Sequence, residues 1–109
     1  MGWIAIDLDG TLAKYYEWEG VDKIGEPVPL MLNRVKNWLE CGYEVKIFTA
    51  RVGPQKNMED ISVARTTIEN WCLKHIGRIL EVTNEKDFNM IELWDDRAIR
   101  VKRNTGEIC

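Results

Sequence analysis

An apolar run that ends in two aspartates, Trp3-Ile4-Ala5-Ile6-Asp7-Leu8-Asp9-Gly10-Thr11-Leu12, lies near the start of the chain. The bulky residues predict a buried β-strand, which Gly10 and Thr11 then end. Because side chains alternate between the faces of a strand, Asp7 and Asp9 are expected to start on one face. Two carboxylates crowded at the end of a buried strand repel each other unless a proton or a cation intervenes. A polar Asp-Gly turn is the plainer alternative, and this segment alone leaves both open.

The composition is that of one soluble globular domain. The chain has 109 residues, of which 45% are hydrophobic and 30% charged, enough for a single core. A net charge of −3 argues against broad electrostatic capture of nucleic acid. Because neither a signal peptide nor a bilayer-spanning apolar run is present, we expect a cytoplasmic protein with no membrane partner.

Strand and helix patterns alternate along the chain. Pro27 and Pro29 introduce one predicted helix, which Gly42 ends, and Asn57 caps a second, which Gly77 ends. Further strands are predicted over 43–49, 79–83 and 90–94, with a short fifth over 98–102. This order predicts an α/β fold, a Rossmann-like, mostly parallel sheet flanked by helices.

Polar side chains follow the predicted strands at their carboxyl ends, where open parallel sheets bind ligands. Chance would scatter such residues over both ends of the sheet, so the shared edge favours a functional site. In chain order they are Asp7 and Asp9, Thr49 and Arg51, Lys86, and Asp95 and Asp96.

The acidic members of this set predict a metal-assisted reaction. Asp7, Asp95 and Asp96 together require a hard, oxygen-preferring divalent cation, for which Mg²⁺ is the natural choice. A carboxylate nucleophile at Asp7 favours phosphoryl transfer through an aspartyl-phosphate. Asp9, two residues further on, is placed to protonate the leaving oxygen and then to activate water.

The remaining members predict a phosphate site. A hydroxyl from Thr49 and a bidentate guanidinium from Arg51 are groups that hold phosphate oxygens. Lys86 adds a fixed positive charge beside the acidic cluster. The backbone amides of the turn at Gly10 add further donors. A phosphorylated substrate is therefore the expected partner.

Taken in order, Asp7-Leu8-Asp9-Gly10-Thr11, Thr49, Lys86 and Asp95-Asp96 resemble the four motifs of the haloacid dehalogenase (HAD) superfamily. The resemblance covers essentially the whole chain. It implies that Asp7 is the nucleophile and Asp9 the acid/base, and that the second aspartate makes the chain a phosphatase. It further implies that Thr49 binds the phosphoryl group and that Lys86 stabilises the aspartyl-phosphate. Beside Thr49, Ala50 and Arg51 are further candidate phosphate ligands. Finally it implies that Mg²⁺ is held by Asp7, Asp95, Asp96 and the Asp9 backbone carbonyl.

The intervals 9–49 and 49–86 are too short to hold the cap domain of many family members. The sequence therefore predicts a single capless domain over residues 1–109 with an open site. Water must then be excluded by the substrate, by the loop of Tyr15, Tyr16 and Trp18, or by a neighbouring subunit. We accordingly expect a large substrate or a homo-oligomer, although an ordinary surface loop is an equal reading of those aromatics.

Other functions compete with a general phosphomonoesterase. Thr49-Ala50-Arg51 resembles the Thr-x-Arg of the 3′-phosphatase domain of phage polynucleotide kinase, so an enzyme acting on nucleic-acid ends is one alternative, which the lack of basic arms disfavours. A non-catalytic HAD-fold module that binds metal or phosphate is another. Response-regulator receivers carry similar residues in a different order, with the acidic pair early and the lysine last, which excludes them.

Overall fold

A computed structural model describes residues 2–109 and contains four parallel β-strands with two α-helices. The elements are β1 (Trp3–Asp7), α1 (Pro29–Glu40), β2 (Glu44–Phe48), α2 (Met58–His75), β3 (Glu81–Thr83) and β4 (Met90–Trp94), and a short 3-10 turn (Ala50–Val52) follows β2. The α/β fold predicted from the alternating patterns, with a parallel sheet flanked by helices, is confirmed.

The strand order is β3-β2-β1-β4, so the first strand lies inside the sheet with β2 on one side and β4 on the other. Asp7 pairs with Phe48 of β2, and Ile6 pairs with Trp94 of β4. This register brings the ends of three strands level. Thr49 and Asp95, each the next residue along its strand, therefore flank the end of β1.

The core lies between the sheet and the helices. Ile4 and Ile6 of β1 align with Val45 and Ile47 of β2, and all four are buried. Buried residues of both helices belong to one core cluster with Ile4 and Ile6, so both helices lie on that face of the sheet, as expected for right-handed crossovers from β1 to β2 to β3. Core residues from the helices are Met31 and Val35 of α1 and Ala64, Ile68, Trp71 and Cys72 of α2.

Local sequence explains where the helices begin. Pro29 occupies the first position of α1, where its missing amide proton costs no hydrogen bond. The Asn57 side chain caps α2 by accepting from the amide of Asp60 at 2.7 Å.

No helix among residues 2–109 combines the length and apolar character needed to cross a membrane.

The predicted fifth strand over 98–102 is wrong. This segment forms only an isolated antiparallel bridge between Val101 and Ile108. Ile99 and Val101 are both exposed. Since β-propensity reflects packing on a pleated, half-buried surface, apolar residues with no neighbouring strand do not form one.

The central position of Ile6 gives a stability prediction. Ile6 is 0% exposed between the sheet and the helices, whereas Ile91 on β4 is 56% exposed. Ile6→Ala should lower the free energy of unfolding by about 2–5 kcal/mol, because it removes methyl groups and leaves a cavity. The matched variant Ile91→Ala should cost less than about 1 kcal/mol. Urea denaturation of both variants measures the difference, and equal losses would contradict this account of the core.

Candidate active site

Three carboxylates meet at the carboxyl ends of β1 and β4. Asp7 ends β1, and Asp95 and Asp96 follow β4 directly. One oxygen atom from each lies within 4.8 Å of the others. Burial and, next, repulsion by Asp95 raise the pKa of Asp7 to about 7, and a hydrogen bond with Asp96 acts in the same direction. An all-oxygen acidic donor set under this repulsion fits a hard divalent cation such as Mg²⁺.

The hydroxyl of Thr11 lies between two of these carboxylates. Its Oγ1 is 3.1 Å from Asp7 Oδ2 and 3.1 Å from Asp96 Oδ1. It also accepts a hydrogen bond from the Asp96 amide at 2.9 Å. The single hydroxyl proton serves one carboxylate at a time, and its bond to Asp7 lowers the pKa of that group. From the sequence, Thr11 was predicted only to end the strand. Its hydroxyl, two residues beyond Asp9, could have indicated a contact with the acidic cluster.

Gly10 makes room for Asp96. Its φ of +91° lies in the left-handed region, and a Cβ atom there would stand 2.7 Å from Asp96 Oδ2. The amide of Gly10 donates to the carbonyl of Ala13 at 2.8 Å. The predicted use of that amide for phosphate is therefore corrected: the proton is already bonded, and the glycine instead allows a close approach.

Asp9 is held by Arg51 rather than directed at the acidic cluster. Arg51 donates to both carboxylate oxygens, from Nε at 2.7 Å and from Nη2 at 2.9 Å. The arginine is only 5% exposed, and Nη2 and Nη1 also donate to the carbonyls of Lys23 and Val21. Contrary to the prediction for phosphate, its guanidinium is engaged by Asp9 and the loop before α1. Such bidentate pairing fixes the direction of the Asp9 carboxylate.

Thr49 and Ala50 follow β2 at the same edge. Thr49 is buried, and its Oγ1 accepts from the amide of Arg51 at 3.1 Å, which leaves the hydroxyl proton to be donated elsewhere. Ala50 is the first residue of the 3-10 turn, so its amide has no acceptor within that turn. Two neighbouring donors are thus available beside Asp7.

These residues line one open cavity of about 390 Å³. Trp18 forms part of its wall, with Arg51 Cζ at 4.8 Å and Lys56 Nζ at 5.1 Å from its ring centroid. Tyr15 and Trp18 of the predicted loop line the cavity, and Tyr16 does not. The lining residues are Asp7, Asp9, Tyr15, Trp18, Phe48, Thr49, Ala50, Arg51, Gln55, Lys56, Asp95, Asp96 and Arg97. Gln55, Lys56 and Arg97 were missed from the sequence, although all three lie in segments that follow strand ends.

Lys86 is not brought to this cavity, contrary to the prediction. The next residue, Asp87, accepts from Trp3 Nε1 at 2.8 Å, and the Trp3 amide donates to Asn89 at 2.9 Å. Trp3 begins β1, so the segment after β3 returns toward the amino ends of the strands. No helix separates β3 from β4. The short connection must therefore leave the carboxyl edge at once to start a parallel strand.

No family model and no curated protein sequence matches the chain. Solved structures do resemble it. A conserved protein from Bacteroides thetaiotaomicron aligns with a TM-score of 0.58 at 19% identity, over 87% of this chain and 75% of that one. The D,D-heptose 1,7-bisphosphate phosphatase of B. bronchiseptica, crystallised with magnesium and phosphate, aligns with a TM-score of 0.52 at 11% identity, over 82% of this chain and 53% of that one. These likenesses show that the chain shares its α/β fold with both proteins.

The position of Thr11 gives a prediction for metal binding. Thr11→Val keeps the shape of the side chain but removes the hydroxyl that bridges Asp7 and Asp96, so Mg²⁺ affinity should fall by about 10- to 100-fold. Isothermal titration calorimetry measures the change. Thr11→Ser restores the hydroxyl and should recover most of the affinity. Unchanged binding in the valine variant would contradict the bridging role.

Proposed function

We propose that the chain is a Mg²⁺-dependent phosphomonoesterase that works through an aspartyl-phosphate on Asp7. The observation that carries the proposal is the acidic cluster of Asp7, Asp95 and Asp96 beside a second, arginine-held aspartate. The likeness in fold to a phosphatase crystallised with magnesium and phosphate supports it.

The metal would be held by the three clustered carboxylates and by the backbone carbonyl of Asp9, which accepts no hydrogen bond among the described residues. Bound there, Mg²⁺ would supply positive charge to the phosphoryl oxygens and favour the ionised form of Asp7. Mg²⁺ usually keeps several waters and binds one or two carboxylates directly, so one of the three would act through a bound water.

The chain's own groups would then carry the transfer in two steps. A carboxylate oxygen of Asp7 attacks phosphorus and the bond to the leaving oxygen breaks, while Asp9, protonated on an oxygen that has turned away from Arg51, gives the leaving oxygen its proton. Water next attacks the aspartyl-phosphate, Asp9 takes its proton, and inorganic phosphate leaves with Asp7 restored. The Thr49 hydroxyl and the Ala50 amide would donate to the phosphoryl oxygens in both steps.

The wall of Tyr15 and Trp18 would shield one side of this open site. Arg51 holds this loop in position, because its guanidinium donates to Asp9 and also to the carbonyls of Val21 and Lys23. The loop and the proton-transferring carboxylate are thereby held as one unit. A capless domain whose site is completed by a large substrate or by a second copy of the chain stays a prediction.

Asp7→Asn tests the proposed function. With p-nitrophenyl phosphate and Mg²⁺, the wild-type chain should release p-nitrophenol, and Asp7→Asn should reduce turnover to background because an amide is a poor nucleophile. Asp9→Asn should reduce kcat by about 10²- to 10⁴-fold, the usual contribution of general acid–base catalysis.

Asp22→Asn is the matched control, since Asp22 is exposed and does not line the cavity. Its kcat should equal that of the wild type. Full activity in Asp7→Asn would overturn the mechanism. Absence of hydrolysis over a wide set of phosphomonoesters would favour a non-catalytic binding module.

A further inference from the structure

We infer that Lys56, and not Lys86, is the lysine that binds the phosphoryl group in this site. The inference rests on the proposed function and names a residue for it. An anionic substrate brought against three carboxylates needs a cation that is free to meet it. Among the described residues, the cations that line the cavity are Arg51, Lys56 and Arg97.

Arg51 is already engaged. Its guanidinium donates to both oxygens of Asp9 and to two backbone carbonyls, and it is nearly fully buried. A phosphate could recruit it only by breaking these bonds, which would leave the Asp9 carboxylate without its partner. Arg51 therefore serves as a positioning residue for Asp9.

Lys56 lines the cavity and has no salt-bridge partner among the described residues. Its Nζ lies 5.1 Å from the centroid of the Trp18 ring, so the ammonium is held at the cavity wall by a cation–π contact. Such a contact leaves the three N–H donors able to bind oxygen atoms.

The backbone explains why Lys56 stands there. The Gly53 amide donates to Ala50 and the Lys56 amide donates to Gly53, each at 3.0 Å. Two successive turns thus fold the segment after Thr49 back over the carboxyl end of β2. Lys86 lies in a segment that runs the other way, toward Trp3 at the amino end of β1.

Arg97 is the remaining candidate. Its amide donates to Asp95 Oδ1 at 2.8 Å, which fixes its backbone beside the acidic cluster. Its side chain is exposed and has no aromatic or acidic partner among the described residues. Lys56, half-buried against Trp18, loses less conformational freedom when it binds.

The test compares two lysines of one chain. Lys56→Ala and Lys86→Ala are made in the full chain, and inorganic phosphate is titrated into each Mg²⁺-loaded protein by calorimetry. Phosphate binding should weaken by about 10- to 100-fold in Lys56→Ala, as expected for loss of a charge-assisted hydrogen bond. It should change less than about twofold in Lys86→Ala. Lys56→Arg keeps the positive charge, and an arginine also makes cation–π contacts with a tryptophan ring, so this variant should recover most of the affinity.

Turnover of p-nitrophenyl phosphate gives the second readout. We expect kcat/KM to fall in Lys56→Ala and to stay at the wild-type value in Lys86→Ala. The reverse pattern, equal losses in both variants, or a larger loss in Arg97→Ala would overturn the inference. If the wild-type chain hydrolyses no phosphomonoester, the proposed function fails, and the phosphate titration alone then decides the role of Lys56.

Discussion

Repulsion among Asp7, Asp95 and Asp96 is the constraint on which the rest of the site depends. The parallel register of β1 with β4 forces these side chains together, since Ile6 pairs with Trp94 and the next residue of each strand is an aspartate. Half-burial of Asp7 removes much of the water that would otherwise screen the charges. Thr11 and the glycine at position 10 relieve the crowding by a hydroxyl bridge and by space. A bound divalent cation would relieve the repulsion that remains.

The two aspartates of the first motif, Asp7 and Asp9, have different partners in the fold. Burial and, after it, repulsion by the neighbouring Asp95 raise the pKa of Asp7 to about 7. Asp9 faces a buried guanidinium that also bonds to the loop before α1. Under the proposed function, Asp7 would hold a cation and attack phosphorus, and Asp9 would transfer the proton. The Trp18 ring contacts both Arg51, the partner of Asp9, and Lys56 at the cavity wall.

Much of this arrangement could be predicted from the sequence, because strand ends of a parallel sheet share one edge. That rule placed Asp7, Thr49 and Asp95 correctly relative to one another. It misplaced Lys86, since the interval between β3 and β4 holds no helix and the chain must turn back immediately. The sequence could not predict the partner of Arg51, because a guanidinium fits a carboxylate as well as a phosphate. The contacts of Arg51 with Trp18, Val21 and Lys23 hold it beside Asp9.

The dependence of Mg²⁺ affinity on pH tests the account most directly. Below pH 7 the metal-free protein carries a proton on Asp7, because the pKa of that group is raised to about 7, and the metal must displace it. Calorimetric titrations should therefore show affinity rising by about tenfold per pH unit up to neutrality, with release of about one proton, and levelling above it. Affinity that does not change with pH would contradict the raised pKa of Asp7, and no binding at millimolar Mg²⁺, checked by a second method such as equilibrium dialysis, would contradict the claim that these three carboxylates form a metal site.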